Sequence, residues 1–290
     1  MSLLERLDRE VVVADGAMGT LLIARGAAPG SCLEALCLEA PDSVAQVHLD
    51  YASAGAKIVR TNSFRANAAA LAAHGLHGHV NEINWQAAQI ARQAVKGLGV
   101  TVAGSVGPIG PAALSCKEKD EVFRTQIGAL LDGGAQMIVF ETFQDVDELL
   151  LALEVKYSLH HCPALCSMAF GDDGRLPDGT SAAEAFARLR DADAEILGIN
   201  GTNGPGPLEE IFRSAPGGGL PMAAFPNAGL PDVSSGQARY GLSPEAFATA
   251  SLRLAALGAR ILGGCCGTTP AHTAAAAEVL NQPSREQGVA

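Results

Sequence analysis

Two adjacent cysteines near the end of the chain are the residues best suited to do chemistry. Cys265 and Cys266 follow the apolar run Ala259–Leu262 and stand among glycines, in the segment Gly263–Pro270. A thiol pair at the rigid end of a buried strand is a suitable arrangement for a soft metal ion such as zinc. Adjacent cysteines can equally be inert core residues, and this spacing is not that of a zinc finger. On the dipeptide alone both interpretations stay open.

Composition and charge limit what kind of protein this is. The chain has 290 residues, 48% of them apolar, which is enough for a large core in one or two domains. Its net charge of −11 argues against nucleic acid and against anionic membrane surfaces as partners, because both attract basic patches. No run is long enough for a membrane span, and residues 1–10 lack a signal-peptide core. Seven cysteines, an odd count, favour a reducing, cytoplasmic compartment.

Short apolar runs alternate with amphipathic stretches along the whole chain. The candidate strands are Val11–Ala14, Lys57–Arg60, Val100–Ala103, Met137–Phe140, Ala164–Ala169, Ile196–Ile199, Pro221–Phe225 and Arg260–Leu262. Continuous apolar runs are typical of parallel strands buried on both faces, and the stretches between them have helical periodicity. Eight such units predict an α/β fold, a (β/α)8 TIM barrel, in a single domain over residues 1–290. A doubly wound open sheet is the alternative, weakened because no GxGxxG follows the first strand.

A small internal repeat supports the alternation of helices and strands. Gly55, Gly134 and Gly258 each close a helical stretch and are followed by a similar short run that opens a strand. Glycine at this place predicts a left-handed residue that ends the helix. The polar tail, residues 282–290, is expected to be flexible.

Candidate site residues, most of them polar or glycine, follow seven of the eight predicted strands. In chain order they are Asp15, Gly16, Ala17, Met18, Gly19 and Thr20, then Thr61 and Asn62, Ser105, Glu141, Asn200, Asn227, and finally Cys265 with Cys266. Each of them alone could be a helix cap or a solvated charge. In a barrel, however, all strand ends meet at one rim, where barrel active sites lie. We therefore predict that these residues share one pocket.

The chemistry of that pocket follows from the residue types. Asp15 and Glu141 could hold an ammonium group, and the backbone N–H groups of residues 16–20 could hold a carboxylate. Together these two subsites describe an amino acid. Zinc on Cys265 and Cys266 would bind and deprotonate an incoming thiol, so the predicted product is a thiolate nucleophile.

Five segments in order resemble the motifs of the homocysteine S-methyltransferase family. They are Asp15–Thr20, Thr61–Phe64, Gly198–Asn200, Pro226–Pro231 and Gly263–His272, and the resemblance covers about Leu4 to Leu280. It implies a (β/α)8 barrel that methylates homocysteine at a zinc-bound sulfur. Residues 226–231 most resemble the homocysteine-binding module of cobalamin-dependent methionine synthase. That likeness implies methylcobalamin on a separate corrinoid protein as the methyl donor.

The chain departs from the family pattern at one metal position. The resemblance implies a third zinc-binding cysteine directly after Asn200, where this chain has Gly201. Three explanations stay open. Cys166, Asn200, Asn203 or water completes the site; the glycine is an engineered or cloning change; or the protein uses another thiol acceptor or has lost methyl transfer. The rival to an enzyme is an amino-acid-binding barrel without catalysis.

The other cysteines and histidines carry weaker signals. Cys32, Cys37, Cys116 and Cys162 show no ligand spacing and are interpreted as packing or surface residues. His74, His77 and His79 resemble a metal-binding tract but lie in a glycine-containing turn, so a solvated loop is expected there.

Overall fold

A computed structural model describes residues 2–110, 112–234 and 238–281 of the chain. Eight parallel strands form its central sheet: β1 (Val12–Val13), β2 (Ile58–Arg60), β3 (Thr101–Val106), β4 (Met137–Phe143), β5 (Ala164–Met168), β6 (Ile196–Asn200), β7 (Met222–Phe225) and β10 (Ala259–Leu262). They pair in the order β1-β10-β7-β6-β5-β4-β3-β2. A parallel bridge between Ala14 and Ile58 joins the two end strands, so the sheet closes on itself. The predicted (β/α)8 barrel is confirmed, and each predicted apolar run overlaps one of its strands.

Helices surround the barrel and connect its strands. They are α1 (Leu3–Leu7), α2 (Gly19–Ala24), α3 (Leu36–Glu39), α4 (Pro41–Ser53), α5 (Ala68–Ala72), α6 (Val80–Ala94), α7 (Cys116–Asp132), α8 (Val146–Leu159), α9 (Ala182–Asp191), α10 (Pro205–Ser214), α11 (Pro244–Ala256) and α12 (Pro270–Leu280). An antiparallel hairpin, β8 (Pro231–Asp232) with β9 (Arg239–Tyr240), follows β7 and was not predicted. Within the described ranges no helix is long and apolar enough to cross a membrane. The tail at 282–290 lies outside the described residues.

Two apolar layers hold the strands in place. One fills the barrel interior with side chains such as Ile58, Val139 and Leu165, and Leu7 of α1 packs against it. The other fills the space between the strands and the helices. Because side chains alternate along a strand, neighbouring residues enter different layers. Leu165, for example, lies in the interior layer, whereas Cys166 lies in the layer beneath the helices.

The three repeat glycines adopt the backbone conformation that the sequence predicts. Their φ angles are +102° at Gly55, +94° at Gly134 and +102° at Gly258, all in the left-handed region. Each follows the C-terminal cap of a helix and leads into a strand. The repeat thus marks three places where the chain leaves a helix and turns back into a barrel strand.

We predict that alanine at Gly258 destabilises the protein through backbone strain alone. A Cβ there would meet nothing within 4 Å, so the substitution should lower the free energy of unfolding by about 1–2 kcal/mol from the left-handed φ. Alanine at Gly128, inside α7 and equally free of neighbours, is the matched control and should raise it by about 1 kcal/mol. Urea denaturation measures both. Equal stability of Gly258→Ala and the unmodified protein would contradict the assignment.

Candidate active site

One cavity of about 510 Å³ lies at the carboxyl ends of the strands. The residues singled out from the sequence all line it: Asp15, Gly16, Ala17, Met18, Gly19, Thr20, Thr61, Asn62, Ser105, Glu141, Asn200, Gly201, Asn227, Cys265 and Cys266. The barrel therefore brings together residues separated by up to 251 positions (266 − 15) in the chain.

A buried arginine that sequence analysis did not single out lies at the centre of this cavity. Arg60 ends β2 and is only 6% exposed. Its Nε donates to Asp15 Oδ1 and its Nη1 to Glu141 Oε2, both at 2.7 Å. Its Nη2 donates to the carbonyl oxygens of Gly16 at 2.9 Å and Gly264 at 2.7 Å. The guanidinium also stacks over the Phe225 ring, 4.7 Å from the ring centroid.

This arginine changes the charge predicted for the pocket. Asp15 and Glu141 were expected to present two carboxylates to an ammonium group, but both accept hydrogen bonds from Arg60. Burial raises the pKa of Asp15, and the guanidinium of Arg60 opposes that rise. Burial acts to lower the pKa of Arg60, yet Asp15 and Glu141 together outweigh it and hold that pKa above its usual value. With all three groups ionised, the formal charge is −1 (+1 − 2), which still matches one ammonium group.

Glu141 is directed into the cavity by a local irregularity of its strand. The pairing of β4 with β5 shifts register between Phe140 and Phe143. Thr142, next to Glu141, has a φ of +66°, which is unusual for a β-branched residue. A bulge of this kind re-aims a side chain at the rim of a barrel. The Ser105 hydroxyl then donates to Glu141 Oε1 and fixes the carboxylate.

Asn200 holds that irregularity in place. Its Oδ1 accepts from the Thr142 backbone N–H at 2.9 Å and from the Ser167 hydroxyl at 2.8 Å. Its Nδ2 donates to Thr142 Oγ1 at 2.8 Å. The amide of Asn200, predicted to contact substrate, is therefore engaged with neighbouring strands. Its contribution to the site is to support Thr142 and, through it, Glu141.

Thr61 and Asn62 build the cavity wall beside Arg60. Thr61 Oγ1 accepts from the Ser105 backbone N–H at 2.9 Å and pairs with the Ser63 hydroxyl at 2.6 Å. Asn62 Nδ2 donates to the Leu33 carbonyl at 2.7 Å. These contacts connect β2 to β3 and to the segment before α3. These hydrogen bonds fix the position of the cavity wall beside Arg60.

The glycine-rich segment after β1 passes close to α4 and to Thr268. A Cβ at Gly16 would lie 2.5 Å from Thr268 Oγ1 and 2.8 Å from the Tyr51 hydroxyl oxygen, so only glycine fits. The Ala17 N–H donates to Thr268 Oγ1 at 3.1 Å, and Tyr51 donates to the Ala17 carbonyl at 2.8 Å. One of the N–H groups expected to face a carboxylate is thus already paired.

The two thiols emerge from the end of β10 beside Asn227. Cys265 is half-buried and Cys266 is exposed. The Cys266 N–H donates to Asn227 Oδ1 at 2.9 Å, while Asn227 Nδ2 donates to the Gly201 carbonyl at 3.1 Å. A hydrogen bond from the Cys265 thiol holds the pKa of Cys266 below its usual value and, together with burial, raises the pKa of Cys265. Asn227 therefore places Gly201 next to the thiol pair.

The residues beside the thiols do not make up a three-ligand zinc site. Gly201 has no side chain to offer, and a Cβ built on it would meet only Ala169 Cβ, at 4.0 Å. Cys166 was considered as a replacement, but it faces the helix layer, because Leu165 occupies the inward position of β5. Asn203 donates instead to Asp172 at 2.8 Å. In the part of the chain that the structure describes, no group of three or more His, Cys, Asp or Glu residues could hold a metal ion.

Sequence analysis missed several residues at the cavity mouth. Cys32 and His74, interpreted as packing and loop residues, line the cavity together with Glu34 and Arg65. The spacing of Cys32 and His74 in the sequence does not indicate that they line the cavity, since both lie in loops away from the strand ends. Arg60 did carry a signal: a charged residue at the end of an apolar strand needs buried partners.

Comparison with solved structures defines the class of this barrel. It superimposes on the metallated form of the homocysteine methyltransferase MmuM from Escherichia coli with a TM-score of 0.79 and 30% identity. The match covers 94% of this chain and 97% of that one. A barrel of this kind, with thiols at the carboxyl rim, belongs to the class of methyltransferases.

Sequence relatives give the family. The profile of homocysteine S-methyltransferases matches residues 12–280, so the chain belongs to the homocysteine S-methyltransferase family. It is 31% identical to the homocysteine S-methyltransferase of Escherichia coli, over 92% of this chain and 94% of that protein. It is also 31% identical to methionine synthase of Mycobacterium tuberculosis over 98% of this chain. The chain spans about a quarter of the length of the mycobacterial methionine synthases.

We predict that a third thiol at position 201 increases zinc affinity. The site has room for the side chain, and each thiolate adds to the metal-binding free energy, so Gly201→Cys should tighten zinc binding by at least about tenfold. Gly201→Ser is the matched control, because it imposes the same strain at a φ of +76° without a thiol. Competition with a chromophoric chelator measures the affinity. Equal zinc affinity in the cysteine variant and the unmodified protein would mean that another group completes the site.

We further predict that Asn200→Ala destabilises the barrel rim. It would leave the Thr142 N–H and the Ser167 hydroxyl without their partner, which should cost about 2–3 kcal/mol of unfolding free energy. Asn203→Ala, in the following exposed loop, is the control and should stay within about 0.5 kcal/mol of the unmodified protein. Chemical denaturation compares them. If Asn200→Ala lowers the unfolding free energy by no more than about 0.5 kcal/mol, the range of the control, then other contacts hold the bulge.

Proposed function

We propose that the chain binds homocysteine in this cavity and transfers a methyl group to its sulfur, giving methionine. The observation that carries the proposal is the meeting of a carboxylate pair and a thiol pair on one cavity, in a member of the homocysteine S-methyltransferase family. An amino acid with a terminal thiol has the two groups that such a cavity is suited to receive.

The acceptor would bind through its amino-acid end. Its ammonium group would rest against Glu141 and Asp15, which with Arg60 have a formal charge of −1 when all three groups are ionised. Charge-assisted hydrogen bonds to carboxylates are among the strongest that a neutral-pH site can offer. Its carboxylate would face the backbone of residues 16–20. The side chain would then extend toward Cys265 and Cys266.

Methyl transfer requires the acceptor sulfur to release its proton to water and attack the methyl carbon. A sulfur–carbon bond forms as the bond between that carbon and the donor breaks, and the electron pair of the broken bond leaves with the donor. We expect zinc to bind Cys265 and Cys266 weakly, since the third thiol of the family is Gly201, and we assign no step to it. The part of this chain is to bind the acceptor, orient it and direct its sulfur toward the cavity.

A methylated corrinoid on a separate protein is the methyl donor that we propose. Support comes from the likeness to methionine synthase and from residues 226–231. Relatives about equally similar are named for other donors, betaine and S-methylmethionine, at 30% identity each. The cavity opens toward solvent at Cys266, so a donor can approach from outside. A donor panel therefore has to include methylcobalamin and both small donors.

A second candidate is an amino-acid-binding barrel without turnover. Gly201 favours it, because the position of the third thiol is empty of any side chain. This protein would bind homocysteine in the same way and leave it unchanged. A related possibility is methyl transfer to a different small thiol.

The test supplies zinc-loaded protein with homocysteine and each donor in turn, and measures methionine by mass spectrometry. We predict methionine with methylcobalamin. Homocysteine binding without product from any donor would instead support the binding barrel. Absence of both binding and product would contradict both candidates.

Glu141→Gln probes the amino-group subsite directly. It removes a charge-assisted hydrogen bond, so the dissociation constant for homocysteine should rise by at least about tenfold. Glu121→Gln, on the exposed side of α7, is the matched control and should not change it. Isothermal titration calorimetry measures both. Equal affinity in Glu141→Gln and the control would place the ammonium group elsewhere.

A further inference from the structure

One side chain contacts the carboxylates of the amino-group subsite and the backbone beside the other two parts of the proposed acceptor site. The guanidinium of Arg60 binds Asp15 through Nε and Glu141 through Nη1. Through Nη2 it binds two carbonyl oxygens, that of Gly16 at the start of segment 16–20 and that of Gly264 directly before Cys265. A single planar group thus connects the amino-group subsite to the backbone that carries the carboxylate subsite and the thiol pair.

This group has little freedom to move. Four of its five N–H bonds have a protein acceptor, and its face rests on the Phe225 ring. The backbone N–H of Arg60 donates to Asp15 Oδ2 at 2.7 Å, which fixes the base of the side chain as well. A guanidinium is rigid and planar, so its acceptors keep fixed positions relative to one another. The separation between the carboxylates and the Gly264 carbonyl is set by the width of the fork.

We propose that Arg60 is a positioning residue that sets the distance from the amino-group subsite to the thiol pair and thereby selects the length of the acceptor. The inference rests on the proposed function. Homocysteine and cysteine share the amino and carboxylate groups and differ by one methylene between them and the sulfur. Cysteine should therefore fail to bring its sulfur to Cys265 and Cys266 when its ammonium group rests on the carboxylates.

The substitution Arg60→Lys distinguishes the effect of the positive charge at position 60 from the effect of the guanidinium's shape. Lysine keeps the positive charge beside Asp15 and Glu141, but its compact ammonium group has three donors in place of five and lacks the planar fork that reaches the Gly16 and Gly264 carbonyls. The two carboxylates keep a cation beside them, while the segment leading to Cys265 loses its tether. A change in acceptor preference in Arg60→Lys would therefore report positioning, because the net charge of the site is unaltered.

The experiment measures the affinities of homocysteine and cysteine by isothermal titration calorimetry. One methylene in a fitted site is worth about 10–200-fold in discrimination, and we expect a preference for homocysteine in that range. Arg60→Lys should lower this preference by at least about tenfold, because misplacement by about 1 Å is enough to lose it. Arg124→Lys is the matched control, an exposed arginine on α7 paired with Asp120, and should leave the preference unchanged.

The outcomes separate positioning from general damage. The proposal is supported if Arg60→Lys lowers the affinity for homocysteine more than the affinity for cysteine, so that the preference is reduced. It is overturned if the two affinities fall by the same factor or do not change. If Arg60→Lys does not fold, Phe225→Leu removes the ring beneath the guanidinium and keeps its hydrogen-bond partners. That variant should lower the preference in the same direction by a smaller factor, and an unchanged preference overturns the proposal.

A second readout keeps the inference distinct from the proposed function. If the unmodified protein binds neither thiol, the proposed function fails, and alkylation of Cys265 by iodoacetamide then decides the role of Arg60. Releasing the tether should raise the labelling rate of Cys265 in Arg60→Lys by at least about fivefold over Arg124→Lys, because local opening exposes the thiol. Site-resolved mass spectrometry measures this rate. Equal rates in the two variants would overturn the proposal.

Discussion

The rim of this barrel depends on the pairing of one buried guanidinium with two buried carboxylates. Taking such charges out of water costs several kcal/mol per ion, and the cost is offset only when geometry and hydrogen bonding are good. Arg60, Asp15 and Glu141 meet that condition with hydrogen bonds of 2.7 Å. Because Asp15 follows β1 and the other two residues lie on β2 and β4, the ion pairs also tie together strands that are not all neighbours. Removing the guanidinium would leave two buried carboxylates without their cationic partner.

Close approach of backbone segments allows this cluster to form. Gly263 lies where β10 ends, and a Cβ there would be 2.6 Å from the Asp15 carbonyl oxygen and 2.8 Å from the Phe225 ring. The Gly264 N–H donates to that same carbonyl at 2.9 Å. A larger residue at either place would push the thiol-bearing segment away from the arginine. Gly263 is thus explained by its contact with Asp15 and Phe225, and Gly264 by the side chain of Thr268, with which a Cβ there would clash.

The barrel, its strand ends and the membership of the cavity could be predicted from the sequence, because each depends on local patterns that repeat along the chain. The central role of Arg60 could not, since its partners lie 45 and 81 positions away and only the closed sheet brings them together. Thr142 is similar: its φ of +66° depends on Asn200 across two strands. The orientation of Cys166 could have been predicted, because side chains alternate along a strand and only one of Leu165 and Cys166 can face the barrel interior.

We propose that this rim holds an amino acid between the carboxylates around Arg60 and the thiols after β10. A crystal structure of the protein with homocysteine would show whether it does. We expect the ammonium nitrogen within about 3 Å of a carboxylate oxygen of Glu141 or Asp15, with the sulfur directed at Cys265 and Cys266. Homocysteine bound with its sulfur turned away from the two cysteines, or with its ammonium group out of reach of both carboxylates, would rule out this binding mode.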